Sequence, residues 1–304
     1  MQSRNILRWI SAAIIALLAA YLRMTGYLPG SGQEDAYEDQ VAEESEYDAG
    51  SELHNEAEGE NDAAAGDQAP AEIEYSAVPE LHTEEEEELY ASLNPSYVNA
   101  PFYSNHDMDR GAEYYAANDA AKVKIAEALN LLMTGNAFIY YGEELGMKGA
   151  GRDENRRAPM YWTDDPHAAG MCSGPAGLDE IRMEYGSLEK QADDPDSIFN
   201  YIREAVRIRE SLPAIARGRT VRIPELEQDC FCGFLRTYPA NQGAGDVLIL
   251  INTGDTAVRR RLPDWVAEYR NLCAALYTGV RNPVIDNGEI TVPAGGILFL
   301  QKQN

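Results

Sequence analysis

The charges of this 304-residue sequence are separated sharply along the chain, which limits where a fold can form. Between Arg23 and Arg110 there is no Lys or Arg, whereas 22 Asp and Glu residues lie between Glu34 and Glu88. Removing those 22 charges from the net charge of −26 leaves about −4 for the rest. A segment this charged, with few apolar residues, cannot offset the entropy lost on ordering. We therefore predict a disordered acidic linker over 31–94. Calcium binding is the alternative role for this tract, although it has no EF-hand spacing.

The first 30 residues have the pattern of an export signal. Arg4 and Arg8 precede the apolar run Trp9–Leu22, which is a basic region followed by a hydrophobic one. The run is shorter than the roughly 20 apolar residues of a spanning helix. Over 1–30 we predict a signal peptide or a membrane anchor, the two being left open. Either one places the rest of the chain outside the cell or at its surface.

The composition also argues against several classes of function. The chain has no basic stripe that could neutralise phosphates, so we expect no nucleic-acid partner. The four cysteines do not have the spacing of a zinc site, and the four histidines are scattered, so we expect no metal or cofactor. The four cysteines allow three disulfide pairings, and the sequence does not distinguish between them. These cysteines are Cys172, Cys230, Cys232 and Cys273.

The residues after the linker alternate between strand and helix patterns. A short strand is predicted over 99–104, and a helix capped by Asn118 or Asp119 is predicted to run to about Met133. The apolar run Phe138–Tyr141 predicts a second strand, and this order is typical of a βαβ unit with parallel strands. After a loop-rich stretch over 142–195, a second helix is predicted from about Asp196 to Leu212.

Beyond Gly218 the sequence pattern changes to short strands separated by turns, which predicts an antiparallel sandwich. The predicted strands are Thr220–Ile223, Phe231–Tyr238, Val247–Asn252, Val258–Leu262, Glu289–Val292 and Ile297–Gln301.

Four segments, in this order and spacing, resemble the α-amylase family of glycoside hydrolases, family 13. Phe102–Arg110 is similar to the family's Phe-x-x-Asn-His-Asp region, and Gly135–Met147 to its last barrel strand. Asp153–Trp162 resembles its Asp-Glu-x-x-Arg-x-Pro-Met-x-Trp segment, and Ser187–Gly218 its last barrel helix. The resemblance implies an α/β fragment of a (β/α)8 barrel, strands seven and eight, over 95–217. It also implies a C-terminal β-sandwich domain over 218–304.

The resemblance suggests roles for particular residues at the mouth of such a barrel. Asp107 corresponds to the carboxylate that stabilises the transition state, and His106 would donate a hydrogen bond to a sugar hydroxyl. Arg110 and Arg157 would orient carboxylates or loops. Asn105 and Tyr141 would complete the substrate-binding set. For Glu143 and Glu144 we expect local hydrogen bonds at the strand exit. The exposed aromatics expected to stack on sugars are Tyr103, Tyr141, Tyr161 and Trp162.

The acids that would do the remaining chemistry are not found. Retaining glycosidases need a nucleophile and an acid/base flanking the glycosidic bond. The family's Gly-x-Arg-x-Asp context does not occur in 1–95, nor does a strand leading to an acid/base. We therefore expect a truncated α-amylase-type protein, inactive alone, whose partner is an α-glucan or maltooligosaccharide. The alternatives are a non-catalytic glucan-binding surface module, half of a split enzyme whose partner chain carries the missing barrel half, and a structural tether.

Overall fold

The computed structural model describes residues 92–94, 96–114, 119–165, 167–179, 183–238, 245–286 and 288–303. The predicted signal or anchor over 1–30 and nearly all of the predicted linker over 31–94 lie outside these residues. In the part of the chain that the structure describes, no helix is long and apolar enough to cross a membrane.

The predicted pair of barrel strands is present as two parallel stretches joined at few points. The backbone N–H of Asn136 donates to the carbonyl of Asn99, and that of Phe138 to the carbonyl of Pro101, both at 2.7 Å. Phe102 and Phe138 form an isolated parallel bridge. The two stretches are parallel, as predicted, but the prediction that 99–104 and Phe138–Tyr141 are full strands is wrong, because they are joined by only an isolated bridge and these hydrogen bonds. The pairing stops after a few residues because Asn105 and Tyr141 already belong to turns.

The two longest helices follow the sequence signals, whereas the shorter ones were not predicted. They are α1 (Gly111–Tyr114), α2 (Ala120–Leu132), α3 (Asp153–Arg156), α4 (Leu188–Asp193), α5 (Ile198–Ser211) and α6 (Pro213–Arg217). The side chain of Asp119 accepts from the backbone N–H groups of Ala121 and Lys122, which confirms it as the cap of α2. Ser197 accepts from the N–H of Asn200 and caps α5, one residue after the predicted start at Asp196. Helix α2 is buried on most of its faces, which explains why it also carries buried polar groups such as Glu127.

Among its described residues, the C-terminal part contains eight strands in two antiparallel sheets. They are β1 (Arg219–Arg222), β2 (Phe231–Thr237), β3 (Val247–Asn252), β4 (Val258–Arg261), β5 (Tyr269–Tyr277), β6 (Val284–Asp286), β7 (Glu289–Val292) and β8 (Gly296–Lys302). One sheet has the order β1-β2-β3-β8-β5 and the other the order β4-β7-β6. The predicted sandwich is confirmed, and six of the eight strands were predicted.

The central strands β3 and β8 of the five-stranded sheet are buried on both faces, and helices pack against one of these faces. On one face Val247, Ile249 and Ile251 pack with helices α2, α5 and α6. On the other, Leu248 and Leu250 pack with Ile290 and Val292 of the smaller sheet and their neighbours. Strand β3 is therefore a continuous apolar run rather than an alternating one, as expected for a strand covered on both sides.

Candidate functional site

Asp107 and His106 lie on an exposed turn directly after the first parallel stretch. The side chain of Asn105 shapes this turn by accepting from the backbone N–H of Asp107 at 2.8 Å. Nε2 of His106 is 3.2 Å from Oδ2 of Asp107, and the two side chains are 58% and 68% exposed. A carboxylate and an imidazole that both face solvent are free to contact a ligand.

Arg157 joins this turn to helix α3. Its guanidinium contacts Oδ1 of Asp107 at 3.2 Å and Oδ2 of Asp153 at 2.7 Å. The guanidinium lowers the pKa of Asp153 below its usual value, mainly through this hydrogen bond. Two of the acids at this site therefore share one arginine, and Asp153 is held in its charged form.

Arg156 and Asp109 form a more buried ion pair beneath the exposed turn. Nε of Arg156 donates to Oδ1 of Asp109 at 2.9 Å, and the Asp109 side chain is only 8% exposed. Nη1 of Arg156 also donates to the backbone carbonyl of Asp107 at 3.0 Å. Sequence reasoning missed Asp153, Asp109 and Arg156. Asp153 lies three residues before Arg156 and four before Arg157, and this helical spacing predicts the ion pairs within α3.

Arg110 is fully buried, unlike Arg157, and binds backbone rather than acids. It donates to the carbonyl of Tyr141 at 2.7 Å and to that of Arg156 at 3.1 Å. Its guanidinium lies 4.5 Å and 4.8 Å from the ring centroids of Tyr140 and Tyr141. This geometry suits a residue that holds loops in place.

The expected aromatic platform is only partly exposed. Trp162 and Tyr141 are 51% and 40% exposed, and the Tyr141 hydroxyl donates to the carbonyl of Ala158 at 2.8 Å. The expectation that Tyr161 is exposed is wrong, because its ring packs in a small apolar cluster with Leu145 and its neighbours. Tyr103 is half-buried against Gly111.

Glu143 is a buried acid directly behind the exposed turn. Its carboxylate accepts from the hydroxyl of Ser104 and from the backbone N–H of Tyr140, as expected for local bonding at the strand exit. Burial raises its pKa to about 7. Burial together with the charges of Glu143 and Glu144 also raises the pKa of Glu127 on α2.

The cysteines and the acids suggest no further chemistry. None of the four cysteines forms a disulfide, so none of the three pairings is present in this structure. Within the described residues, no group of three or more His, Cys, Asp or Glu side chains could hold a metal ion.

The described fold is that of a partial barrel followed by antiparallel sheets. Its strand-end turns gather acids, arginines and aromatics at the carboxyl ends of the parallel stretches, the end at which (β/α)8 barrels build their sites. The family model "Alpha amylase, catalytic domain" matches residues 37–218. The chain belongs to the alpha-amylase family. The match starts within the acidic segment, before the point at which the sequence motifs begin.

Similar proteins support this assignment over part of their length. Alpha-amylase 3 of Dictyoglomus thermophilum is 31% identical over 136 residues, 45% of this chain and 27% of that protein. Alpha-amylase SusG of Bacteroides thetaiotaomicron is 27% identical over 215 residues, 69% of this chain and 30% of that protein. The solved structure of Eubacterium rectale Amy13B has a TM-score of 0.65 and 36% identity, covering 72% of this chain and 42% of that one. The chain thus spans about a quarter to two fifths of the length of these relatives.

Proposed function

We propose that this chain forms one side of an α-glucan site, with Asp107 as the carboxylate that stabilises a positively charged transition state. The observation that carries the proposal is the exposed Asp107 carboxylate, oriented by Arg157 and placed 3.2 Å from His106. An oriented carboxylate favours the positive charge that develops at a sugar carbon during glycosidic cleavage. His106 is placed to bind a hydroxyl of the same sugar.

The substrate class follows from the relatives together with the site. Two similar proteins are named alpha-amylases and another oligo-1,6-glucosidase. An α-1,4- or α-1,6-linked glucan, or a maltooligosaccharide derived from one, is therefore the ligand that we assign. Trp162 and Tyr141 supply exposed rings on which a sugar face can stack.

We further propose that the chain does not hydrolyse glucans by itself, because its described acids do not include a suitable proton donor. A general acid must be protonated near the working pH and must reach the leaving oxygen. Asp153 has a lowered pKa and is paired with arginine. Glu143 has a pKa of about 7, but its side chain is buried and both oxygens accept hydrogen bonds.

Binding of maltoheptaose, measured by isothermal titration calorimetry, tests the glucan site. We expect the wild-type chain to bind, and Asp107→Asn and Trp162→Ala to weaken binding at least fivefold. Trp265→Ala is the matched control, because Trp265 is a similarly exposed tryptophan (48%) in the β-sandwich. No binding by the wild type, or equal losses in all three variants, would refute the assignment.

Half of a split enzyme is a second candidate, favoured by one apolar surface. Phe102 and Phe138, the bridged residues of the two parallel stretches, are 47% and 58% exposed. Large apolar side chains at the edge of a parallel pair suit contact with further strands. A polypeptide carrying the first six barrel strands of a relative should bind this chain and confer hydrolysis that Asp107→Asn abolishes. Failure to form a complex would remove this candidate.

We also propose export of the chain through residues 1–30, on the basis of the basic and apolar pattern that ends at Leu22. Fractionation of cells that express the full chain tests this. Recovery in the cytoplasm would contradict it. Recovery at the surface, with or without removal of the N-terminal residues, separates an anchor from a cleaved signal.

A further inference from the structure

The carboxylate of Glu143 links the two parallel stretches at the point where both end. Glu143 begins a single 3-10 turn, Glu143–Leu145, and its side chain lies inside the protein. Its Oε1 accepts from the hydroxyl of Ser104 at 2.5 Å, and its Oε2 accepts from the backbone N–H of Tyr140 at 2.8 Å. Ser104 and Tyr140 lie on different stretches, so one side chain joins them.

The same contacts fix both ends of the segment that carries Asp107. Ser104 immediately precedes the segment 105–109 and is 2% exposed. Arg110 immediately follows it and donates to the carbonyl of Tyr141, two residues before Glu143. The segment is therefore anchored at its start through Glu143 and at its end through Arg110, both times to the turn 140–143.

We propose that Glu143 is a positioning residue for Asp107, and that gain or loss of a proton on its carboxyl group regulates how firmly the segment 105–109 is held. The importance of this regulation for glucan binding rests on the proposed role of Asp107. The structural part, that Glu143 controls the order of the segment, stands independently of any sugar.

The proton reverses the direction of one hydrogen bond. When Glu143 is ionised, the Ser104 hydroxyl donates to a carboxylate, and such charge-assisted bonds are about twice as strong as neutral ones. When Glu143 is protonated on Oε1, its own O–H donates to Oγ of Ser104, and Oε2 still accepts from Tyr140. Deprotonation releases the proton to solvent and strengthens the anchor at the start of the segment.

Burial places this change near neutral pH, and polar and charged neighbours modify it. Glu127 on α2 and Glu144 on the same turn are acidic, and Arg110 is the cation that opposes them. Oε2 of Glu127 is buried without a hydrogen-bond partner, so no hydrogen bond at that oxygen stabilises a second charge beside Glu143. Burial outweighs the two hydrogen bonds and Arg110, and raises the pKa of Glu143 to about 7.

Two substitutions isolate the effect, and a third is the matched control. A glutamine at position 143 accepts from Tyr140 through its oxygen and donates to Ser104 through its amide, so Glu143→Gln imitates the protonated state. Ser104→Ala removes the hydrogen bond that changes direction. Glu144→Gln alters an adjacent acid of the same turn and retains the oxygen that accepts from the N–H of Gly142.

Amide exchange rates for residues 105–109, measured by NMR on the full chain from pH 5.5 to 8.5 and corrected for intrinsic exchange, test the proposal without sugar. For the wild type and Glu144→Gln we expect the protection of residues 105–109, taken relative to that of the β3 amides so that changes in global stability cancel, to increase about fivefold with a midpoint near pH 7. The reason is that a charge-assisted bond replaces a neutral one while Glu143 stays buried. Glu143→Gln and Ser104→Ala should show no such step. A step that persists in either variant, or no step in the wild type, would overturn the proposal.

Maltoheptaose titrations at pH 6 and pH 8 separate this proposal from the proposed function. A protection step with no sugar binding at either pH leaves Glu143 as the positioning residue and removes the glucan site. Sugar binding without the step leaves the site and removes the role of Glu143. If near-ultraviolet circular dichroism shows that Glu143→Gln does not fold, the exchange step in Ser104→Ala tests the role of Glu143 instead.

Discussion

Replacing Arg110 by alanine should destabilise the fold strongly, whereas the same change at Arg157 should not. Arg110 ends the segment Phe102–Arg110 and Arg157 lies in the segment Asp153–Trp162, and both were expected to orient carboxylates or loops. The structure separates them, since Arg110 is fully buried and the side chain of Arg157 is 38% exposed. The comparison therefore tests whether burial and partners, rather than motif membership, set the role of each residue.

The size of the Arg110 effect follows from its contacts. The guanidinium donates to the carbonyls of Tyr141 and Arg156, and hydrogen bonds to a charged group each contribute about 1.5–3 kcal/mol. Removing the side chain also leaves a cavity against the rings of Tyr140 and Tyr141. Relief of a buried charge offsets part of this loss. A net loss of about 3 kcal/mol in the free energy of unfolding is the expected result.

Urea denaturation followed by far-ultraviolet circular dichroism measures the difference. Arg110→Ala should lower the midpoint clearly, with an unchanged slope against urea. Arg157→Ala should leave the midpoint near that of the wild type, because solvent screens its ion pairs with Asp107 and Asp153. Equal shifts of the midpoint in the two variants would show that burial and contacts do not determine the different roles of Arg110 and Arg157.

Three further predictions concern a buried acid, a crowded glycine and a buried thiol. The pKa of Glu143 is raised from 4.5 to about 7, so Glu143 loses its proton at a lower pH in the unfolded chain than in the folded one. The free energy of unfolding should therefore fall by up to about 3 kcal/mol as the pH rises from 4.5 to 7. Melting curves of the wild type and Glu143→Gln check this, the variant lacking that part of the fall. Gly135→Ala should lower the melting temperature, since Gly135 has φ of 86° and an added Cβ would lie 2.0 Å from the carbonyl oxygen of Asn99; an unchanged melting temperature would contradict that geometry. Ellman's reagent at pH 8 should label Cys172 at once and Cys232 only after unfolding, because burial raises the pKa of the Cys232 thiol to about 12; equal rates would argue against the core as described.

Local signals in the sequence were sufficient for the two long helices, α2 and α5, and for most strands, but not for the short helices. Asp119 and Ser197 are caps whose side chains satisfy helix N–H groups, and this chemistry can be read directly from residue type and position. Strand β3 could be predicted because it is apolar throughout and ends at a turn signal. Such features depend on neighbours in the chain.

Strand β5 was missed because its pattern does not follow a strict period of two. The pairing of Tyr269–Tyr277 with β8 has register shifts between Tyr269 and Asn271 and between Leu272 and Ala274. Each irregularity changes which residues face the core, so the burial pattern loses its alternation. Only the partner strand reveals the pairing.

The candidate site was predicted by motif, while its internal organisation required three-dimensional contacts. The motif suggested Asp107, His106 and Arg157, which the structure brings together. Nothing local indicated that Arg156 would bind Asp109 from 47 residues away, or that Glu143 would reach Ser104 across 39 residues. Long-range pairs of this kind depend on how the loops fold over the strand ends.

Release of reducing ends from soluble starch and maltoheptaose by the purified chain measures whether it hydrolyses glucans. We expect these sugars to bind with no release above the background given by Asp107→Asn. The reason is that the Gly-x-Arg-x-Asp context of the nucleophile does not occur in 1–95, and Glu143, whose pKa is raised to about 7, is buried. Hydrolysis by the wild-type chain that disappears in Asp107→Asn would contradict this expectation and would show that the chain carries a complete catalytic set.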